Sequence, residues 1–268
     1  MKLRIASWNI NSVRLRLPLV QRFLTEHAPD VLCLQEIKCA SELFPAEPLA
    51  ALGYKHAVIH GQPGYHGVAT VSRLPLAEVE RRDFNGTAEA RHVSVEVKVK
   101  GKGGPVIIDN FYVPSGGDEP DVSVNEKFKQ KLDFLAAMSG WAKKLDGASR
   151  VAVGDLNVAP GEHDVWSHKQ LLNIVSHTPV EVDALNLVIK HGGYTDVARA
   201  FVPHTDKLYS WWSYRAKDWR AANRGRRLDH IWARGPIAAK AKALHILTDA
   251  RGWDGPSDHV PVFADFEV

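Results

Sequence analysis

Short runs of apolar, often β-branched residues recur along this chain, and that recurrence limits its possible folds more than any other feature. The runs are "LRIASWN", "VLCLQE", "YKHAVIH", "GVATVSR", "RHVSVEVKV", "PVIIDNFYV" and "RVAVGDLN", followed later by "YSWWSY", "RLDHIWA", "AKALHILT" and "VPVFADFE". Helical spacing is confined to three stretches: about Arg14 to His27, Val124 to Leu145, and about Val180 to Lys190. In the second, Phe128, Leu132, Leu135 and Ala136 recur on one face. Turn clusters such as "KGKGGP", "PSGGDEP" and "RGWDGPSD" separate the elements, and a loop rich in Gly and His follows "GDLN". So many strands for so few helices do not fit a simple βαβ alternation. They predict an α/β chain in which sheet packs on sheet with helices outside. No low-complexity linker and no short repeat divides the 268 residues, so one domain spanning 1–268 is expected.

Composition narrows the class further. Hydrophobic residues make up 45% of the chain and include eight tryptophans, enough for a sizeable core. No stretch approaches transmembrane length, and "MKLRIASWNI" lacks the apolar run of a secretory signal, which together predict a cytoplasmic protein without membrane contact. Cys33 and Cys39 form neither a disulfide framework nor a zinc signature and are expected as reduced thiols. The formal net charge is only +3, but its distribution says more. Arg215, Lys217, Arg220, Arg224, Arg226, Arg227 and Arg234 stand against Asp218 and Asp229 alone, beside the aromatics of "LYSWWSYR". A basic cluster with interleaved aromatics suits phosphate contact combined with stacking.

Polar residues recur where the apolar runs end. Asn9, Glu36, Tyr112, Asp155, Asn157, Asp229, Asp258 and His259 all sit at the border between an apolar run and a turn. Burying one unpartnered carboxylate costs several kcal/mol, as an order of magnitude. Several in one chain are tolerable if they share a cation or a hydrogen-bond network, and this points to metal-assisted chemistry. The donors are oxygens and no Cys or His cluster has zinc spacing, so Mg²⁺ is the expected ion and Mn²⁺ a substitute. His163, His168 and His177 form no ligand spacing and are expected as loop or surface histidines.

The segments "SWNINSVR", "LQEIK", "GYHGVA", "NFYVPSG", "GDLNVAP", "YSWWSYR", "NRGRRLDHI" and "PSDHVPV" occur in an order and spacing that resemble the exonuclease III family of apurinic/apyrimidinic (AP) endonucleases. That family lies within the wider endonuclease–exonuclease–phosphatase superfamily, and the resemblance runs from about Lys2 to Phe266. It implies a DNase I-like, four-layer α/β/β/α sandwich of two mixed sheets flanked by helices, with the strand ends lining one cleft. It also implies roles. Glu36 resembles the principal metal-ligating carboxylate, with Asn9 and Asp258 near the same ion and Asp155, Asn157 and His259 completing the set. Asp155 resembles the general acid/base and Asn157 the amide that orients water or phosphate. Tyr112 would hydrogen-bond the phosphate, and His259 would contact the phosphate or support the nucleophile, held by Asp229. Which group deprotonates the water, and whether one or two ions act, stay open.

The activity so implied is Mg²⁺-dependent hydrolysis of double-stranded DNA by activated water. Incision 5′ to abasic sites would accompany 3′→5′ exonuclease or 3′-phosphodiesterase action at blocked ends, by a monomer. DNA contacts are expected from Arg14, Arg16, Arg91 and the cluster from Arg215 to Arg227, with Arg224 and Arg226 among them. Of Trp211 and Trp212, one is expected in the core and one, taken as Trp212, against the abasic sugar. The sequence departs from the family at Arg226, usually apolar or aromatic, and at Ser12, commonly glycine. A charged residue at 226 shifts the expected balance toward 3′-end activity. The alternative keeps the fold but takes RNA or a small phosphorylated substrate.

Overall fold

The computed structural model describes residues 2–99 and 104–268. Most of the "KGKGGP" turn lies outside the described residues. The strands are β1 (Lys2–Asn9), β2 (Val31–Gln35), β3 (His56–His60), β4 (Val68–Ser72), β5 (Leu76–Glu80), β6 (His92–Val97), β7 (Val106–Tyr112), β8 (Arg150–Asp155), β9 (Thr195–Asp196), β10 (Trp211–Trp212), β11 (Gly225–Arg226), β12 (Asp229–Arg234), β13 (Ala241–Ile246) and β14 (Val262–Glu267). The helices are α1 (Leu17–His27), α2 (Ala46–Ala50), α3 (Glu126–Ala142), α4 (His168–Leu171), α5 (Pro179–Gly192), α6 (Val197–Phe201) and α7 (Trp219–Ala222). No described helix is long and apolar enough to cross a membrane.

The strands build two six-stranded mixed sheets, β13-β14-β1-β2-β4-β3 and β5-β6-β7-β8-β12-β9, and a separate ribbon of β10 and β11. Strand alternation sorts the side chains into layers. Leu3, Ile5, Val31 and Cys33 of the first sheet meet Val93, Val95, Val151, Val153 and Ile231 of the second in one buried core between the sheets. The opposite face of the first sheet, with Ala6, Trp8, Leu32 and Leu34, packs on Phe23 and Leu24 of α1. The opposite face of the second, with Phe111, Ala152 and Trp232, packs on Phe134, Leu135 and Met138 of α3 and on Leu185 and Val188 of α5. The α/β/β/α sandwich expected from the sequence is the observed fold. Cys33 and Cys39 are free and buried.

Element boundaries move for local reasons. The first helix begins at Leu17 rather than near Arg14, because Asn11 (φ 48°) and Ser12 (φ 84°) take left-handed backbone and turn the chain first. The second helix runs Glu126–Ala142, opened by Asn125, whose side chain accepts from the backbone N–H of Lys127 and Phe128. The third starts one residue earlier than expected, at Pro179, a residue preorganised for the first helical position. "YSWWSY" forms only the two-residue strand Trp211–Trp212, paired with Gly225–Arg226 outside the main sheets. The loop after "GDLN" contains α4 and a 3-10 turn at Glu162–Asp164.

Arg227, a member of the cluster expected at phosphate, is wholly buried. Its Nε and Nη2 donate to Asp164 at 2.8 and 2.9 Å and its Nη1 to Asp196 at 2.8 Å. Arg199 also donates to Asp164. Burial alone would raise the pKa of Asp164, but the Arg227 and Arg199 guanidiniums outweigh it and hold it at about 2. The carboxylate therefore stabilises the fold above its unfolded value of 3.8, and that contribution disappears as pH falls through about 2. Asp164→Asn should destabilise the protein by about 3–5 kcal/mol at neutral pH, because it leaves buried guanidinium charge uncompensated. In urea denaturation series at several pH values, the gap from the unsubstituted protein should narrow between pH 3.8 and about 2; a gap independent of pH would refute the assignment.

Candidate active site

Parallel pairing of β1 with β2 and of β7 with β8 delivers four strand C-termini to one side of the sandwich. The antiparallel partners β12 and β14 begin there, with Asp229 directly opposite Asp155. Polar residues at strand ends far apart in sequence are thereby brought together. Asn9 closes β1, Glu36 follows β2, Tyr112 closes β7, Asp155 closes β8, Asp229 opens β12 and His259 leads into β14.

The Asn9 amide spans the two sheets: its Nδ2 donates to Glu36 Oε1 and to Asp155 Oδ2, each at 2.9 Å. Tyr112 Oη donates to the same Glu36 Oε1 at 2.9 Å. Asn157 Nδ2 donates to Asp155 Oδ2 at 3.1 Å and to Val113 O at 2.9 Å. The Asp155 Oδ1 atom accepts the backbone N–H of Asn157 at 3.0 Å. His259 Nδ1 lies 2.8 Å from Asp229 Oδ2, and its Nε2 faces Asp155 Oδ2 at 3.6 Å. Glu36 (φ 49°) and Asn157 (φ 53°) both hold left-handed backbone, a conformation retained where the surroundings fix it. Asp155, Asp229 and His259 are buried, and their ligand atoms lie within 4.8 Å of one another, close enough to hold a metal ion.

Electrostatics follows from this crowding. Burial lifts the Asp155 carboxyl above its usual range, an effect partly opposed by His259. Burial opposes charge on His259, but Asp229 and Asp155 outweigh it and raise the imidazole pKa to about 10. For Glu36, burial is outweighed by the Lys38 ammonium and the Asn9 amide, and its pKa falls. Lys38 Nζ lies 2.8 Å from Glu36 Oε2, so Glu36 has the surface partner its sequence neighbour suggests and also belongs to the cluster. Burial raises the Tyr112 phenol well above its ordinary value, so it stays a donor. The oxygens of Glu36 and Asp155 converge on one point, now held by an amide N–H, and this donor set fits a hard divalent cation.

A cavity of about 670 Å³ opens beside these groups, lined among others by Asp155, Asn157, Trp166, Trp211, Arg226 and His259. Asp258 lines it too, and its carboxylate accepts from Trp211 Nε1 at 2.9 Å and Asn11 Nδ2 at 3.2 Å. Of the two tryptophans, Trp212 is the core ring, 3% exposed, with Nε1 donating to Asn223 Oδ1 at 3.1 Å. Trp211 is the half-buried one, and both rings line the cavity. Arg226 stands over the Trp211 ring at 5.3 Å, and its Nη1 donates to Val175 O at 3.0 Å and Ser176 Oγ at 2.7 Å.

Among the other basic residues expected at DNA, Arg14 and Arg224 are exposed, with Arg224 over Trp166 at 4.7 Å. Arg91 is not free for phosphate: it is buried, pairs with Glu89, donates to Tyr112 O at 3.3 Å and lies against the Tyr112 ring. Arg16 is used within the chain, on Asn11 O, Tyr214 Oη and Gly255 O. His177 lies in the loop between α4 and α5, as expected, but is buried there, with Nε2 2.8 Å from His168 Nδ1. Ser210 also belongs to the cluster around Asp229. Its buried hydroxyl donates to Asp229 Oδ2 at 2.6 Å, and no sequence signal sets it apart from other serines in aromatic-rich stretches.

The chain matches the Endonuclease/Exonuclease/phosphatase family over residues 6–259. It is 31% identical over 276 residues to an exodeoxyribonuclease III of Haemophilus influenzae, covering 99% of this chain and 100% of the relative. Its fold is similar to that of an AP endonuclease from Archaeoglobus fulgidus, with a TM-score of 0.89, 32% identity and coverage of 99% and 100%. A 3′ phosphatase, NExo, from Neisseria, solved with a product DNA hairpin, gives a TM-score of 0.87, 30% identity and the same coverage.

If Asp229 holds the His259 charge, Asp229→Asn should lower the imidazole pKa by roughly 1 to 3 pH units, since it removes an anion in contact. NMR titration of the His259 ring in the metal-free protein measures this. A pKa unmoved from about 10 would show that Asp229 does not set it.

Proposed function

The chain belongs to the endonuclease/exonuclease/phosphatase family, and on that footing we propose that it is a DNA-repair nuclease hydrolysing phosphodiesters of double-stranded DNA with water. The observation that carries this reading is the Asp229–His259–Asp155 array, joined through Asn9 to Glu36 and Tyr112 at the mouth of a cationic, aromatic cavity. Glu36 and Asp155 would hold Mg²⁺, or Mn²⁺ in its place, with Asn9, Asn157, Asp258 and His259 around it. When bound, the ion supplies neutralisation of charge on the phosphate oxygens.

The remaining work falls to the side chains. Asp155, held by Asn9 and Asn157 and facing His259, is placed to take and return the proton of the attacking water. Asn157, bonded to Asp155, orients that water or a phosphate oxygen. His259 stays cationic between its two carboxylates and presents Nε2 to a phosphoryl oxygen, while Asp229 fixes the ring through Nδ1. The Tyr112 hydroxyl, which donates to Glu36 Oε1, would turn to donate a hydrogen bond to a second phosphate oxygen. No protein nucleophile is needed.

The substrate is duplex DNA bearing an abasic site or a blocked 3′ end, met by a single catalytic domain acting as a monomer, and exposed Arg14 and Arg224 would engage phosphates. Two reduced thiols accord with the cytoplasm. Arg226 occupies the cavity wall beside Trp211, where it narrows the space for an extrahelical sugar and offers charge to a terminal phosphate. We therefore infer that 3′-end cleaning dominates over incision at internal abasic sites.

Three duplexes test this in Mg²⁺: one with an internal abasic site, one with a recessed 3′ end and one with a 3′-phosphate. Asp155→Asn and His259→Ala should each lose about 10²- to 10⁴-fold in rate on every duplex. Arg226→Ala should raise abasic incision relative to 3′-phosphate removal by roughly 10-fold. Full activity of both catalytic variants would sink the mechanism. An unchanged ratio would sink the role of Arg226, and hydrolysis of RNA or a small phosphate ester with duplex DNA untouched would replace the substrate.

A further inference from the structure

Beyond Asp155 the chain gives three consecutive backbone carbonyls to side chains. Lys131 Nζ donates to Asn157 O at 2.7 Å, His230 Nε2 lies 2.9 Å from Val158 O, and His177 Nδ1 lies 2.6 Å from Ala159 O. All three side chains are buried and each comes from a different part of the fold. The segment they hold is the one that carries Asn157 through its left-handed turn.

Lys131 differs from the two histidines in bringing a full charge. It projects from α3, is wholly buried, and also donates to Ser115 O at 3.2 Å. Its counter-ion is Glu181 of α5, equally buried. Gly116 makes room for the lysine stem: a Cβ there would lie 2.9 Å from Lys131 Cδ. Glu181 reaches onward, accepting the backbone N–H of Ser176 at 2.9 Å and of Thr178 at 3.1 Å, and the Thr178 hydroxyl at 2.6 Å. Ser176 Oγ is the acceptor for Arg226. One ion pair thus ties Asn157 to the cavity wall that bears Arg226.

A buried lysine–glutamate pair is a poor device for stability alone. Removing two charges from water costs several kcal/mol for each ion, and apolar residues of similar volume commonly serve as well or better. What apolar residues cannot supply is a fixed donor for the Asn157 carbonyl. We propose that Lys131 is a positioning residue for the hydrolytic reaction: it acts through the Asn157 backbone, and Glu181 holds its ammonium in place. This rests on the reading that Asn157 works at the scissile phosphate. The ammonium locks the peptide unit, the locked peptide unit aims the carboxamide, and the carboxamide meets Asp155.

The test is the double variant Lys131→Met/Glu181→Gln, which removes both charges together and keeps an acceptor for Ser176 and Thr178. It is compared with the unsubstituted protein and with Asn157→Ala on a duplex carrying a 3′-phosphate in Mg²⁺. The double variant should lose on the order of 10- to 100-fold in kcat, as expected for a misplaced catalytic group. KM, and duplex affinity in EDTA, should stay within about threefold of the unsubstituted protein, because the DNA-facing surface is untouched. A folded double variant with full kcat, or with only KM altered, overturns the proposal. If it does not fold, Glu181→Gln alone decides: it should lower kcat severalfold with KM unchanged, and full kcat overturns the proposal. Asn157→Ala separates the levels, because full activity there removes the underlying reading instead.

Discussion

The bond pair from Asn9 to Glu36 and Asp155 is the contact on which the rest of the site depends. It joins the C-terminal end of one sheet to that of the other, at 2.9 Å on each side. Neither carboxylate belongs to the same sheet as the other, so their approach is a property of sheet-on-sheet packing and not of local sequence. The inter-sheet layer grades toward this point. Leu3 and Ile5 of β1 lie in the apolar core, Ser7 bonds Gln35 of the same sheet, and Gln35 Nε2 donates to Asn110 Oδ1 of the other sheet at 2.7 Å. Asn9 follows two residues later on the same face. Apolar packing fixes the separation of the sheets, the Ser7–Gln35–Asn110 bridge fixes their register, and the site is the polar end of that gradient.

Much of this gradient can be read along single strands. "RVAVGDLN" alternates inward Val151 and Val153 with outward Ala152, and the alternation predicts both the strand and its polar end. Because six such runs carry acids, amides, a phenol or an imidazole at one end, their convergence is the economical explanation, and these ends meet at one side of the sandwich. What sequence cannot supply is the partner of a charged side chain. Arg91 and Arg227 look like the arginines that meet phosphate, yet Glu89, Asp164 and Asp196 hold them inside. Lys131 reads as a solvated residue on a helix between Lys129 and Asp133; its acceptors lie on loops 26 and 16 residues away and on a helix 50 residues away. Trp212 and Trp211 are adjacent and chemically identical, and only the twist of a two-residue strand decides which ring turns inward.

Buried charge is distributed unevenly, and the unevenness separates scaffold from site. Away from the cavity, Asp164 faces Arg227 and Arg199, and Asp109 faces Arg150. In each of these groups every buried acid meets its base. At the strand ends, and among the described residues, Glu36, Asp155, Asp229 and Asp258 face only His259 and Lys38 in the contacts they make with basic side chains. With all four carboxylates ionised and both bases charged, two negative charges remain. The raised pKa of Asp155 follows from that surplus: burial and the neighbouring acids favour the neutral carboxyl.

The surplus also explains why the amide of Asn9, and not a basic side chain, sits between Glu36 and Asp155. A lysine or arginine there would neutralise the carboxylates permanently and leave nothing for a hard cation or a phosphate to bind. An amide satisfies their lone pairs without cancelling their charge, so the desolvation cost is met by hydrogen bonds while the negative potential is kept. His259, held by Asp229, then stands as a fixed positive group facing Asp155 across 3.6 Å, on the cavity side where a phosphate oxygen would enter. The division between charge that is cancelled and charge that is merely hydrogen-bonded distinguishes the parts of this molecule that hold its shape from the part that can act on a polyanion.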